Sequence, residues 1–582
     1  MRVAASSPVT GPARPLRVRR GNRETKALLV LLLAALVCML FPSGRTEASP
    51  GATITVNSTA DTNARDGALT LREAMLLATG GLAVGDLDGE DGGECAQVSN
   101  STYGPPCTTT DTIGTAAADA IIFDGTIFPL GAPAKITLAS SLPALSTGAD
   151  TVDGSGAGVI IEGVGVDFDC FQIHGSDANS IRGLQIGRCQ AGVQIAWGAH
   201  NNTVGGTMAS QRNVIYSSVH GVHIIGTDVS GNIVIGNYIG VDATGSAAAF
   251  NWRGVSIGWA TNNTVGGRTD GERNIISGNN TGVILEDSAS GNVVEGNYIG
   301  TNASGTAAIG NSCGVFMYPV FNNTIGGSAA GEGNVISGNG VGIRIYEGSD
   351  NILQGNFIGT NAAGIAPLGN GTNGVTISGS PGNAIGGTQS GAANRIAFNG
   401  GRGVEIDGAA GNSIRRNSIH SNGSVGIENF SGGNTELAPP IIDSVGGSVS
   451  GHSNPKCYPC TVEVFSDSED EGGIYLDTTT TNDDATGTWT HSGWLVGPNI
   501  TATITDAAGN TSEFSAPVAY SPPPVGGIAE PPEAAVSGAG SHGTSLPVLA
   551  LATVAGLLAV ASVAGGWYVA RLTRNKRPGW RC

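Results

Sequence analysis

Residues 262–300 read NNTVGGRTDGERNIISGNNTGVILEDSASGNVVEGNYIG. The opening string returns as NNTVGG at Asn201, NNTIGG at Asn322 and GNAIGG at Gly382, a period near 60 residues that marks a stack of repeats and not a globule built around one site. Each period divides in two. The asparagine that opens each coil falls at Asn202, Asn232, Asn263, Asn292, Asn323, Asn351, Asn383 and Asn412, in steps of 30, 31, 29, 31, 28, 32 and 29 residues. Within one coil three short apolar runs recur: Asn263 to Val265, Asn274 to Ile276, and Gly282 to Leu285. They are rich in β-branched residues, alternate with period two and are separated by Gly and Asn, so each coil is predicted to hold three strands with bends between them. Ile276, Val283 and Leu285 fall in the inward-facing set. Glycine accounts for 93 of the 582 residues, in keeping with a chain that turns three times per rung and needs positive φ at its corners. Asparagines stacked at equivalent corners are expected to hydrogen-bond to one another and to the neighbouring backbone.

The extra residues of each coil alternate between two places: between the two Asn runs, as from Gly266 to Arg273, and before the Gly-Val strand, as from Gly300 to Cys313. The last coil, from Asn412 to about Gly433, has neither and matches a minimal three-strand rung. Two rows of loops should therefore project from two edges of the solenoid, each repeating every second rung about 10 Å apart. Loop rows are where partners usually bind.

The two ends of the chain carry addresses of their own. Arg17, Arg19, Arg20, Arg23 and Lys26 precede the apolar run Ala27 to Phe41, and small residues at Thr46 to Ser49 offer cleavage after Ala48; this is the pattern of a secretory signal, with an N-terminal anchor as the lesser reading. Leu546 to Ala570 is long and apolar enough to span a bilayer, and Arg571, Arg574, Lys576, Arg577 and Arg581 follow it, which places the basic tail inside. Leu546-Pro547 suggests a sortase signal, but Val548-Leu549-Ala550 departs from that motif, so a retained helix is expected. A net charge of −18 argues against a nucleic-acid partner. Among the cysteines, Cys95 with Cys107, Cys170 with Cys189, and Cys457 with Cys460 are candidate disulfides for an oxidising exterior; Cys313 falls in a repeat loop. Cys457 and Cys460 also fit a redox or metal pair, although no second Cys pair or His stands beside them.

Ahead of the repeats, TITVNSTADTNARDGALTLREAM (Thr53 to Met75), ADAIIFDGTI (Ala118 to Ile127) and ITLASSLPAL (Ile136 to Leu145) resemble the N-terminal region of bacterial CSLREA-domain proteins. Leu71-Arg72-Glu73-Ala74 match that family's motif, while Leu69 and Thr70 replace its Cys and Ser. The resemblance covers roughly residues 53–433 and implies a right-handed parallel β-helix of the pectate-lyase-like type, a fold that hosts lyases, hydrolases and adhesins alike. Leu69 to Thr79 is the convincing helix of this region, and an exposed solenoid end needs such a cap. The alternating strands after the last coil suit a small β-sandwich, and ATITDAAGNTSEFS resembles bacterial immunoglobulin-like modules. The expected fold is thus all-β: a signal peptide (1–48), a CSLREA-like cap with the first strands (49–148), β-helix repeats (149–436), an immunoglobulin-like sandwich (437–520), a Pro/Gly/Ser-rich stalk (521–545), one transmembrane helix (546–570) and a cytoplasmic tail (571–582).

Chemistry is sparse. On the Gly-Val-x-Ile strand the x residue and the residue after Ile face out, and two features stand above background in these columns. Glu405, Asp407 and Glu428 converge on the last two rungs, at the separation expected of a retaining glycosidase pair. Solvated acids that discourage edge pairing are the competing reading. Phe316, Tyr318, Arg344 and Tyr346 form an aromatic-basic patch two rungs below, suited to stacking sugars or to being covered by a loop. No metal set stands out, although Asp467, Glu469, Asp470, Glu471, Asp483 and Asp484 offer oxygen ligands for Ca²⁺. A pectate-lyase mechanism needs clustered Asp and an Arg base, yet residues 351–402 hold no acid, and His200, His220, His223 and His420 are scattered. The leading expectation is a non-catalytic, membrane-anchored surface protein for adhesion, glycan binding or envelope structure, with a polysaccharide or cell-surface glycan as partner and no cofactor; the alternative is a polysaccharide lyase or glycoside hydrolase.

Overall fold

The structure, a computed structural model, describes residues 50–115 and 118–521. The expected signal peptide, the stalk beyond Ser521, the transmembrane helix and the basic tail lie outside these residues. Among the described residues no helix is long and apolar enough to cross a membrane.

Three parallel sheets of 12, 11 and 10 strands run the length of residues 50–430, each strand pairing with its counterpart one coil away. The reference coil contributes Thr264–Gly266 to sheet 1, Ile275–Ile276 to sheet 2 and Thr281–Glu286 to sheet 3. The result is a parallel β-helix. Its interior is one continuous apolar column in which Ile276, Val283 and Leu285 are fully buried, as period-two alternation predicts.

The corners are held by asparagine. At the sheet 3 to sheet 1 corner, each Asn from Asn179 to Asn383 donates its Nδ2 to the Oδ1 of the Asn one coil on, ending at Asn412. The other two corners carry ladders of their own, Asn213 to Asn417 and Asn251 to Asn422, and bonds in all three measure 2.8–3.2 Å. Along the ladders Oδ1 also accepts a backbone N–H, as Asn232 does from Asn202, so one buried side chain satisfies main chain and neighbour together. Gly266 shows why the corners need glycine: its φ is +91°, and a Cβ there would collide with the Glu295 carbonyl one rung away.

The loop rows do not project freely. Residues 240–250, 300–310 and 359–369 fold back as hairpins over sheet 2 and stack on one another, Ala303 N donating to Gly245 O at 3.0 Å and Ala362 N to Gly305 O at 2.9 Å. Each hairpin is closed by one Asx side chain, Asp242, Asn302 or Asn361, accepting from backbone N–H groups four and five residues on. A two-rung gap exceeds hydrogen-bonding reach for bare corners, and the inserts are long enough to close it. Cys313 is not in a loop but begins the sheet 3 strand Cys313–Tyr318, fully buried.

Both ends of the helix are covered. Helix α1 (Leu71–Ala78) packs on the first rungs, with Leu71 and Ala74 in the core. Thr70 and Glu73 form a reciprocal capping box, and Arg72 bonds Asp61 as well as the carbonyls of Ser140 and Ser141. At the far end, Ile441–Val445, Val449–His452 and Thr488–His491 form one antiparallel sheet; Thr461–Asp467, Ile474–Thr480, Asn499–Thr505 and Val518–Ala519 form another. Val449, Val462, Val464, Trp489, Ile500 and Ile504 fill the core between them. Disulfides join Cys95 to Cys107, Cys170 to Cys189 and Cys457 to Cys460.

Candidate functional site on the outer face of sheet 3

The three outer faces differ in kind. Sheet 2 lies beneath the hairpin row, with the Tyr238, Tyr298 and Phe357 rings against Gly245, Gly305 and Gly364. Sheet 1 presents one plain column, Thr203, Ile233, Thr264, Val293, Thr324 and Ile352 among its members, and beside it a second without rings, in which Asp153 pairs with Arg182 and Glu295, Gln354 and Arg415 adjoin Gly266, Gly326 and Gly386. Sheet 3 carries rings, acids, bases and amides that change from rung to rung.

Register sets these side chains in columns. Gln194, His223, Ser256, Ile284, Phe316, Arg344, Thr376, Glu405 and Glu428 occupy one, and Glu286, Tyr318, Tyr346, Ser378, Asp407 and Phe430 continue the next. Tyr318 and Tyr346 stack at 5.3 Å between centroids, and Phe316 sits in register with Arg344. The patch and the acids therefore share one face, separated only by the rung of Thr376 and Ser378.

Glu405 and Glu428 are directly paired neighbours, but a guanidinium lies between them. Arg402 NH1 bonds Glu405 Oε2 at 2.5 Å and Arg402 Nε contacts Glu428 Oε2; Asn373 Nδ2 adds a bond to Glu405 Oε2 at 2.9 Å. A retaining pair needs room between its carboxyl groups for a scissile oxygen and a free proton to deliver. Here Arg402 occupies that room and engages both acids. Asp407, on the same strand as Glu405, takes no part in this cluster among the described residues.

Arg402 belongs to a third outward column that two-fold alternation does not reveal. The residue before the Gly-Val step forms it: His220 and Arg253 pair in register, followed by Thr281 and the covered Cys313. Arg253 forms an ion pair with Glu286 Oε1, to which Ser256 Oγ donates at 3.2 Å. His220 stacks on His223 at 4.2 Å. Burial holds both imidazoles below the ordinary range, helped at His220 by His223 and then Arg253, and at His223 by Arg253, which leaves His223 at about 4. The signal for this column was present in the repeats HGVHI, RGVSI and RGVEI, one step before the glycine.

The remaining candidates are dispersed. Among the described residues no three His, Cys, Asp or Glu side chains are placed to hold a metal. The acids considered for Ca²⁺ serve local structure: Asp483 pairs with Lys456, Asp484 accepts from Thr486 and Thr488 backbone, Asp467 from Glu469 and Gly473, and Glu471 is buried against Asn422. His200 bonds Ser230, and His420 packs edge-on against Phe398.

No family model matches the chain, and no curated protein matches it. Among solved structures it is similar to the A-module of mannuronan C-5 epimerase AlgE4 from Azotobacter vinelandii, at 13% identity over 54% of this chain and 89% of that one, with a TM-score of 0.27. Tailspike protein 2 of Escherichia coli O157:H7 bacteriophage CAB120 gives 11% identity, 68% and 64% coverage and a TM-score of 0.28. DFA-IIIase from Arthrobacter chlorophenolicus A6 gives 18%, 48%, 66% and 0.23. The class rests on the sheets themselves: this is a parallel β-helix protein with one elaborated face.

Proposed function

We propose that this chain is an exported, membrane-tethered surface protein that binds an extended glycan along the outer face of sheet 3 without cleaving it. The observation that carries this reading is the contrast between faces. In a repeat protein the fold asks much the same of every rung, so a face on which rings, acids, bases and amides change from rung to rung is accounted for by a ligand better than by packing. The resemblance to CSLREA-domain proteins fits: Thr70 keeps the N-cap hydroxyl of the serine it replaces, Arg72 and Glu73 tie the cap, and buried Leu69 fills the cysteine's place. Export and tethering rest on the basic and apolar leader and on the apolar span before the basic tail. The C-terminal unit, compared above with immunoglobulin-like modules, caps the solenoid.

Glycan cleavage by Glu405 and Glu428 is the second reading, favoured by their pairing on adjacent rungs. A glycan array run with the purified full chain, alongside assays for new reducing ends and unsaturated products, separates the two. Retention without products is expected. Products that vanish in both Glu405→Gln and Glu428→Gln would establish the enzyme instead; failure to retain any glycan would remove the binding reading.

A further inference from the structure

Three of the chain's seven tryptophans surround one patch at the N-terminal half of sheet 3. Trp197 and Trp259 follow their strands at equivalent positions two rungs apart, with Gly226 in the rung between, and are 74% and 45% exposed. Two strand spacings set them about 10 Å apart along the solenoid axis, commensurate with a disaccharide repeat. Trp252 flanks the opposite edge of the Trp259 rung, 38% exposed, with Phe250 edge-on to it at 6.5 Å. The strand Arg253–Gly258 separates the two walls by about 20 Å of backbone. Apolar side chains exposed singly are ordinary, whereas several exposed rings gathered around one floor mark a binding surface.

The floor between them is polar but carries little unbalanced charge. His174 stacks flat on Trp197 at 5.3 Å and bonds Gln194 Oε1 at 2.9 Å, which orients the ring wall from below. Arg253 is engaged by Glu286, and the neighbouring imidazoles of His220 and His223 are held neutral by burial and by that same guanidinium. One polar atom of the floor, Nδ1 of His220, has no hydrogen-bond partner among the described residues, on a side chain only 8% exposed. His220 stands in its column between small Ala191 and Arg253. A buried polar atom left unpaired costs about 1–3 kcal/mol, and a hydroxyl, which both donates and accepts, satisfies it in either tautomer.

From this geometry we infer that the trough bounded by Trp197, Trp259 and Trp252 is a binding site for an uncharged polysaccharide, whose pyranose faces stack on the indoles and whose hydroxyls meet the His220, His223 and Gln194 floor. Among the described residues the cation of this floor is Arg253, and Glu286 already pairs with it, so an acidic glycan gains no free guanidinium from it. This site rests on the glycan reading above and is distinct in place from the Tyr318 and Tyr346 patch.

Native gel electrophoresis of the full chain in detergent, through gels containing laminarin, dextran, xyloglucan or polygalacturonate, tests it. At least one uncharged polymer should retard the protein. The double variant Trp197→Ala/Trp259→Ala should weaken that binding tenfold or more, while Tyr318→Ala/Tyr346→Ala changes it less than threefold; with the imidazoles neutral, retardation should be flat between pH 6.5 and 9. Undiminished retardation of the tryptophan double variant, or retardation by polygalacturonate alone, overturns this site and leaves the glycan reading standing. No retardation of the parent by any polymer overturns both.

Discussion

At the scale of single residues the asparagine ladder is the defining chemistry, because an amide both donates and accepts and a carboxylate only accepts. The ladder at the sheet 3 to sheet 1 corner nevertheless begins with acids: Ala52 N bonds Asp119 Oδ1, Asp119 N bonds Asp150 Oδ1 and Asp150 N bonds Asn179 Oδ1. Burial raises the Asp150 carboxyl to about 7 against the bonds from Thr147 and the Asp119 backbone, which favour its ionised form, and Asp119 is raised as well. A carboxyl whose folded pKa lies above its unfolded value adds stability as pH falls from about 7 toward about 4, where unfolded aspartate titrates. Asp150→Asn supplies the missing Nδ2 donor without a charge. The variant should melt several degrees above the parent at pH 8.5, with the difference shrinking on acidification through neutrality; an equal difference at pH 8.5 and pH 5 would show that Asp150 is not the titrating group. The Asn202 to Asn412 series was legible in the sequence because its spacing is nearly constant. The series from Asn213 was legible as the second Asn run of each coil, Asn274 among its members, although inserts alternate around it and its steps run 24, 37, 23, 37, 22, 38 and 23 residues; the third series, from Asn251, was not singled out.

Among the elements, the hairpin row shows how inserts become structure. Gly305 has a φ of +66°, and a Cβ there would lie 2.5 Å from the Ala362 Cβ of the next hairpin and 2.9 Å from the Tyr298 ring. Gly305→Val combines a left-handed backbone unsuited to a β-branched residue with overpacking of a tight contact, together about 2–4 kcal/mol. Because rungs are coupled mainly to neighbours, the expected result is a lower melting temperature with new protease cleavage confined to residues 300–310 and 359–369. Cleavage spread evenly over the chain would contradict the stacked-row picture. The sequence located these inserts but did not reveal their packing, which depends on contacts between residues about 60 apart, such as Ala303 with Gly245. The same limit hid Arg402. Strict alternation from inward Val404 turns residue 402 inward, but the strand pairing skips the glycine of this step, as between Ala191/His220 and Val193/Val222, and that corner turns the preceding residue out. Two columns of the candidate face were therefore readable and the third was not.

On the scale of the whole molecule, the C-terminal unit closes the solenoid, a role its sequence does not announce because the docking residues read as surface acids and turns. Arg415 pairs with buried Glu463, the ladder from Asn251 ends with Asn422 donating to Glu471, and Ile419 exchanges backbone bonds with Gly472. Asn434 Nδ2 and Asn429 Nδ2 both donate to Thr511 O, while Ile414 N donates to Thr511 Oγ1. The last rung of a parallel β-helix otherwise presents open strand edges and an uncovered apolar column, the template for edge-to-edge association. A chain ending at Glu436 loses all of these partners at once. It should elute from size-exclusion chromatography as dimers and larger species and lose cooperative melting at its C-terminal rungs, while restoring residues 437–520 returns the monomer. Glu463→Ala in the intact chain tests the same contact more gently: it leaves Arg415 without its partner, at a cost of about 3–5 kcal/mol for a buried pair broken on one side, and should loosen the cap before the helix. A truncated chain that stays monomeric with the parent's melting temperature would show that the β-helix closes its own end and that the C-terminal unit is there for something else.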